Sequence, residues 1–331
     1  MTPRAWQIEA RRVVLEHLLS DAGKREPGAI SVVTGAGKGS LLPMLLYALR
    51  SERKLPPRIV IATSRSQLVT SLLLACYAAC DPSAPKHGRE AIQAGTDPVM
   101  AAIRASEIVG QYDGRRKDPR PVTVTTYPSL PACLRAMGGA DLLICDEAHR
   151  SAAPDALDAV MSVDLRFGMS GTLYLGDETR TIAAFKRTLY RYSAADAIRD
   201  GVIVPAAIRV GSLAAPVDGV GIDRDRALAA LLGELEADGG CSSMGPGVVA
   251  VSTVAEAEWL AARVTALGLR GLAVSGQDSM RERRAAVAAV SAGAVDVVAM
   301  AKLWLEGVDC RAIRWLAPLV NLPRNELVQF F

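Results

Sequence analysis

Residues 32–40 read VVTGAGKGS, and the fold turns on what this stretch is. Gly35 and Gly37 let the backbone wrap an anion with its N–H groups, and a helix starting after Lys38 would add its dipole. Lys38 would reach the outer phosphates of a nucleotide. In the general form of such loops the next residue offers a hydroxyl to Mg²⁺. Here it is Gly39, with Ser40 one place later, and Val32 stands where a first glycine belongs. The stretch is either an altered phosphate cradle or a chance run of small residues, so its surroundings must decide.

Those surroundings alternate short apolar runs with amphipathic stretches. Strands are expected at 29–33, 58–63, 122–126, 141–145 and 166–170, with helices after Lys38 and from Ser66 to Cys80. Continuous apolar strands separated by helices imply a parallel sheet covered on both faces, with ligands beyond the strands' carboxyl ends. The loop at 34–38 falls at one such end. A second series starts near 246: GVVAVST, a helix through Trp259, GLAVSG, a helix from Met280, VDVVAM and IRWLAPL. The fold class is therefore α/β with two parallel-sheet domains. The expected boundaries are 1–210, a linker at 211–245 with a helix at 224–236, and 246–331. The polar segment 81–120 ends GQYDGRRKDPRP and reads as a solvated loop or as a basic cluster that meets phosphates.

Bulk numbers narrow the class. The 331 residues suit about two domains, half of them are apolar, and 38 basic against 35 acidic residues leave +3. That balance does not announce nucleic acid by itself. Cysteines 76, 80, 133, 145, 241 and 310 form no CxxC pair and suit reduced thiols. With no signal-peptide pattern and no apolar run of about 18–20 residues, a cytoplasmic protein without a membrane partner is expected.

Residues 142–150, LLICDEAHR, choose for the loop. An apolar strand delivers Asp146 and Glu147 at its carboxyl end, about a hundred residues after Lys38. Phosphoryl transfer to water needs one carboxylate to hold Mg²⁺ and a second to orient and deprotonate the water. In isolation, the Asp is also compatible with an ordinary helix N-cap. Together with the upstream loop, the pair reads as a site for phosphoryl chemistry on a nucleotide.

These motifs resemble a superfamily 2 helicase-type ATPase of the DEAH group, with restriction and phage-like features. The resemblance runs in order along the chain and implies two RecA-like domains with ATP between them. RAWQIEA (4–10) resembles the Q-type motif, in which Gln7 would read adenine. Thr34, Gly35, Ala36, Gly37, Lys38, Gly39 and Ser40 resemble motif I. IVIATSRSQLV (59–69) resembles motif Ia, which touches nucleic-acid backbone, and VTVTTYPSL (122–130) is similar to the strand-turn ahead of the DEAH box. Ser170-Gly171-Thr172 looks like the coupling motif III, to which His149 would link the ATP site; a locally bonded His149 is an equal reading. YSAADAIRDGVIVP (192–205) resembles the segment closing the first domain, and VVAVST looks like motif IV. VVAMAKLWLEGVDC looks like motif V, with Gly307 and Asp309 near nucleotide and strand.

Two departures qualify the resemblance. With Gly39, Mg²⁺ falls to Ser40, water or mainly Asp146. Gln329 stands where motif VI would begin, so the sequence given stops before that motif's arginines and the second domain is expected to be incomplete at its C-terminus. The implied function is an ATP-dependent helicase or translocase, on DNA sooner than RNA. The alternatives are an ATP-binding nucleic-acid clamp or switch without unwinding, or the front part of a split helicase whose motif VI comes from a partner protein. No nuclease cluster is evident, and a small-molecule kinase would leave motifs III to V unexplained.

Overall fold

The computed structural model describes residues 3–21, 23, 26–64, 66–81, 97–173, 181, 183–204, 224–237, 245–301, 310 and 312–319. The chain divides into two compact units, Met1–Pro205 and Ala206–Phe331.

In the first unit the strands are β1 (Gly28–Val32), β2 (Ile59–Thr63), β3 (Val109–Tyr112), β4 (Lys117–Asp118), β5 (Val122–Thr126), β6 (Leu142–Asp146), β7 (Arg166–Ser170) and β8 (Arg187–Tyr192). They form one sheet in the order β4-β3-β5-β2-β6-β7-β1-β8. Every described pairing is parallel except the β3–β4 hairpin. The five strands expected from the sequence are present, with ends shifted by at most one residue. The period-2 geometry of a strand explains why their apolar runs are unbroken. Ile30, Val32, Ile59, Ile61, Ile144 and Phe167 fill a core on one face with Leu41, Leu45 and Leu73 from covering helices. Ala29, Val60, Ala62, Leu143 and Cys145 fill a second core on the other face with Leu130, Val160 and Phe185.

Segment 81–120 is more structured than a solvated loop. It holds the helix Asp97–Ala105 and the β3–β4 hairpin. β3 is four residues long, contains Gly110 and lies near the edge, so it lacks the apolar run that marks a central strand. The edge strand β8, RTLYRY, is equally hard to read, because most of its side chains are not buried.

The second unit carries β9 (Gly247–Val251), β10 (Gly271–Val274), β11 (Val297–Ala301) and β12 (Trp315–Pro318), all parallel in the order β10-β11-β9-β12. The helix Arg224–Ala237 sends Leu228 into this unit's core beside Val249, Leu260 and Ala299. The helices Val254–Ala266 and Met280–Ser291 begin with capping boxes. Thr253 and Ser279 accept from the N–H groups of Glu256 and Glu282, whose carboxylates accept from the cap backbones in return.

One local device occurs in both units. Arg58, just before β2, donates from Nε and Nη2 to Asp141, just before the adjacent β6, and from Nη1 to the Gly138 carbonyl. Arg270, just before β10, does the same to Asp296, just before β11, and to Gly293. Each clamp ties a strand start to its parallel neighbour and to a left-handed glycine at a helix end, with φ of +65° at Gly138 and +68° at Gly293.

Packing at the second sheet is tight where Gly247 meets Trp315. A Cβ on Gly247 would lie 1.9 Å from the indole, against an aromatic body in the sheet core. Gly247→Ala is expected to destabilise the second unit by about 1–3 kcal/mol, the usual scale of overpacking. Chemical denaturation with Trp fluorescence checks this, with a lower midpoint expected.

No described helix is long and apolar enough to cross a membrane. The five described cysteines are free, and burial pushes the Cys145 thiol up to about 12.

Candidate functional site

The phosphate-type loop follows β1 at the carboxyl edge of the first sheet. Gly35 and Gly37 have φ of +81° and +96°, the left-handed region that disfavours a Cβ, so both glycines are demanded by the turn. A single 3₁₀ turn over Lys38–Ser40 leads into the helix Leu41–Ser51. Ala36 is fully buried and anchors the loop in the core, while Thr34 and Gly35 stay exposed.

β1 lies two positions from β6, across β7, and β6 ends at Asp146. The chain then turns sharply at Glu147, a non-glycine residue at φ +52° and ψ +55°. This backbone is unfavourable for a side-chain-bearing residue and persists only where the surroundings enforce it. Here they do. Tyr127, from the VTVTTYPSL stretch, donates its buried hydroxyl to the Asp146 carbonyl at 2.8 Å. Gly168 in β7 lets Ala148 settle on the strand, since a Cβ there would approach the Ala148 methyl to 2.9 Å.

The loop and the acidic turn meet through Lys38. Its ammonium is hydrogen-bonded to Glu147 Oε1 and lies 3.8 Å from Asp146 Oδ1. Burial pushes the Asp146 carboxyl above the usual range, while the Lys38 charge draws it back down. Thr63, at the end of β2, sits 3.5 Å from Asp146 Oδ2.

A polar chain continues to the end of β7. Ser170 Oγ is 3.5 Å from Glu147 Oε2 and 2.8 Å from His149 Nδ1, and the Thr172 N–H donates to Ser170 Oγ at 3.1 Å. Thr172 Oγ1 lies 3.5 Å from the same imidazole nitrogen. Between them, Gly171 backs onto the loop, where an added Cβ would lie 2.9 Å from Thr34 Oγ1. Among residues far apart in sequence, the fold thus gathers Lys38, Asp146, Glu147, His149, Ser170 and Thr172.

Gln7, expected to read adenine, lies beside the loop. It is 5% exposed, its Nε2 donates to the Gly37 carbonyl at 3.1 Å, and its Oε1 accepts from the Arg4 N–H at 2.9 Å. The amide ties the first helix, Ala5–Leu18, to the loop. Arg4 joins it, donating from Nη1 to the Ala36 carbonyl at 2.5 Å. Sequence reasoning missed Arg4. The available signal is an arginine at the N-cap of that helix, where Ser, Thr, Asp or Asn is usual. Gly307 and Asp309 lie outside the described residues.

The residues fit a Mg²⁺–nucleotide. Two left-handed glycines build an open cradle, the Lys38 ammonium faces it, and the buried Asp146 carboxylate is held beside that ammonium. Asp146 and Ser40 would supply the protein's oxygen contacts to the metal. Gly39 has no steric reason to be glycine: its φ is ordinary, and a Cβ would meet nothing within 4 Å. Gly39→Ser is therefore expected to leave stability within about 0.5 kcal/mol. It should also lower the Mg²⁺ concentration giving half-maximal phosphate release, which a metal titration at saturating ATP checks.

Residues 6–225 match the family model of the SWI2/SNF2 ATPases. Solved structures share the fold at low identity. A fragment of an HsdR subunit of a type I restriction enzyme from Vibrio vulnificus is 18% identical, with a TM-score of 0.64 over 99% of this chain and 60% of that one. The Type ISP restriction-modification enzyme LlaBIII, bound to DNA, is 14% identical with a TM-score of 0.65, and this chain spans 26% of its length. Dbp5 from S. cerevisiae, bound to RNA and ADP BeF3, is 14% identical with a TM-score of 0.56 over 99% of this chain and 79% of that one. No curated protein matches the chain. The mostly parallel first sheet, the parallel second sheet and these likenesses make the units RecA-like.

Proposed function

Because the chain belongs to the SWI2/SNF2 ATPase family, within the superfamily 2 helicase-type ATPases, we propose that it hydrolyses ATP to move along or unwind nucleic acid. The observation that carries this is the meeting of Lys38 with Asp146 and Glu147 beside Ser170 and His149. DNA is the preferred substrate in this reading, in keeping with the restriction-enzyme likenesses. The DEAH-type assignment rests on Asp146-Glu147-Ala148-His149, and a cytoplasmic setting suits the free cysteines.

In the mechanism, Gly35, Ala36, Gly37 and Lys38 bind the phosphates through backbone N–H groups and the ammonium. Bound Mg²⁺ would neutralise developing charge on the phosphate oxygens. Glu147 orients the attacking water and takes its proton at a carboxylate oxygen. Once phosphate draws Lys38 away, Glu147 Oε1 is free to do this, while Oε2 remains near Ser170. Ser170, His149 and Thr172 then report the state of Glu147 to the end of β7. Gln7 and Arg4 brace the loop from behind through its carbonyls.

The test is Mg²⁺-dependent phosphate release by the purified chain, alone and with single-stranded DNA, duplex DNA or RNA. Stimulation by DNA above RNA is expected. Nucleotide binding without turnover under any condition would overturn the motor reading and favour a clamp or switch, the reading that Gly39 supports. Equal stimulation by RNA would overturn the preference for DNA.

A further inference from the structure

The β3–β4 hairpin is built with more care than a solvated turn requires. Asp113, 1% exposed, caps it from inside: Oδ1 accepts the N–H groups of Arg115 and Arg116 at 2.8 and 3.0 Å, and Oδ2 accepts from Gln111. Gly110 permits the close return of the second strand, since a Cβ would lie 2.3 Å from the Asp118 carbonyl. The tip is fastened to the neighbouring strand, where Thr125 Oγ1 donates to the Tyr112 carbonyl at 2.6 Å. It therefore stands at the carboxyl end of the parallel sheet, the side on which ligands bind.

Beside the hairpin is a cavity of about 230 Å³. Arg104, Arg115, Arg116, Gln111 and Thr70 line it, with Leu73 and Ile103 below. Asp118 also lines it, but its carboxylate is already paired with Arg116 at 2.7 Å and Arg120 at 3.0 Å. Arg104 and Arg115 make no ion pair or hydrogen bond from their guanidinium groups among the described residues. Lys117 adds charge from the far side, resting over the Tyr112 ring at 4.3 Å. Among the described residues cations thus exceed carboxylates. The Arg115 charge also acts on the buried Asp113, but the oxygens of that carboxylate are taken by N–H donors, so the Arg104 and Arg115 guanidinium groups keep their donors for an anion.

Size and place define that anion. The cavity is smaller than the about 300–1,000 Å³ of pockets that enclose small molecules, so it suits one phosphate group of a chain that continues outside. β3 lies five strand positions from β1, roughly 24 Å at about 4.8 Å per strand, so the nucleotide loop does not serve it. We propose that this pocket seats a backbone phosphate of the nucleic-acid strand, gripped by Arg104 and Arg115 with Arg116, Gln111 and Thr70 beside them. The inference rests on the nucleic-acid reading above and adds to it a specific contact at the sheet edge. Held only through phosphate, the contact is indifferent to base sequence.

Fluorescence anisotropy with labelled single-stranded and duplex DNA across a salt series tests it, using the full chain. Arg104→Ala/Arg115→Ala is expected to weaken oligonucleotide binding by about tenfold, equally across base sequences. It should reduce the slope of log K against log salt by about 0.7 on single strands, the loss of one phosphate contact. ATP binding, read separately with a fluorescent nucleotide, should not change and reports that the variant is folded. Arg12→Ala/Lys54→Ala removes two exposed charges elsewhere on the unit and should weaken binding less. If the wild type binds DNA and the pocket variant matches it, or matches the charge control, the pocket is overturned while the motor reading stands. If the wild type binds ATP but no nucleic acid, the motor reading falls and takes the pocket with it.

Discussion

Glu147→Gln is expected to lower phosphate release by about 10²–10⁴-fold while ATP still binds, the range over which a positioned general base acts. The amide keeps the side chain's shape and still offers one oxygen to Lys38, but it cannot accept a proton from water. The geometry makes the effect specific to this carboxylate. Glu147 is reached by Lys38 at one oxygen and by Ser170 at the other, from a left-handed backbone that only its surroundings hold in place. Asp146 is the more buried of the two, and its backbone carbonyl is fixed by Tyr127. Burst and steady-state phosphate assays beside a nucleotide-binding titration separate the two steps. Turnover within a fewfold of the wild type would mean that another group activates the water.

Lys38→Ala is expected to act earlier, on binding. It removes the Lys38 ammonium that faces the loop and both carboxylates, and with it the charge-assisted contact to phosphate that the proposed mechanism assigns to this residue. ATP affinity should fall by at least about tenfold, and phosphate release at fixed ATP by about 10²–10³-fold. The substitution also leaves two adjacent carboxylates without their shared cation. The Asp146 carboxyl, already pushed up by burial, should then hold its proton to still higher pH, because the Lys38 charge that lowers it is gone. Lys38→Arg keeps the charge but changes its shape, so partial recovery of ATP affinity by this variant would show that charge contributes on its own. Unchanged affinity in Lys38→Ala would remove the loop from the mechanism.

Several features were legible in the sequence because their causes are local or periodic. The central strands announced themselves as unbroken apolar runs, since each is buried on both faces and alternation has nothing polar to show. Gly35 and Gly37 advertised a left-handed turn, and LLICDEAHR put its two carboxylates where an apolar strand must stop. Order along the chain was enough to read the loop and the acidic pair as parts of one site, but not to show that Lys38 touches both carboxylates.

Other features belong to the tertiary structure alone. The short strand β3, its hairpin and the edge strand β8 lack apolar runs, because edge strands bury less and owe their pairing to a neighbour. The matching clamps of Arg58 with Asp141 and Arg270 with Asp296 span 83 and 26 residues, so no window of sequence contains the repeat that parallel pairing creates. The sequence drew attention to Gln7 but not to its partner: the fold places its amide on the Gly37 carbonyl, with Arg4 beside it on Ala36. Ser170 stood out in the sequence only through its motif resemblance, and its contacts with His149 and Glu147 exist because β7 is laid between β6 and β1. Composition and order thus named candidates, because burial and backbone freedom act within a few residues. Which of them touch was decided by strand order, because parallel neighbours come from distant parts of the chain and only the assembled sheet brings their ends together.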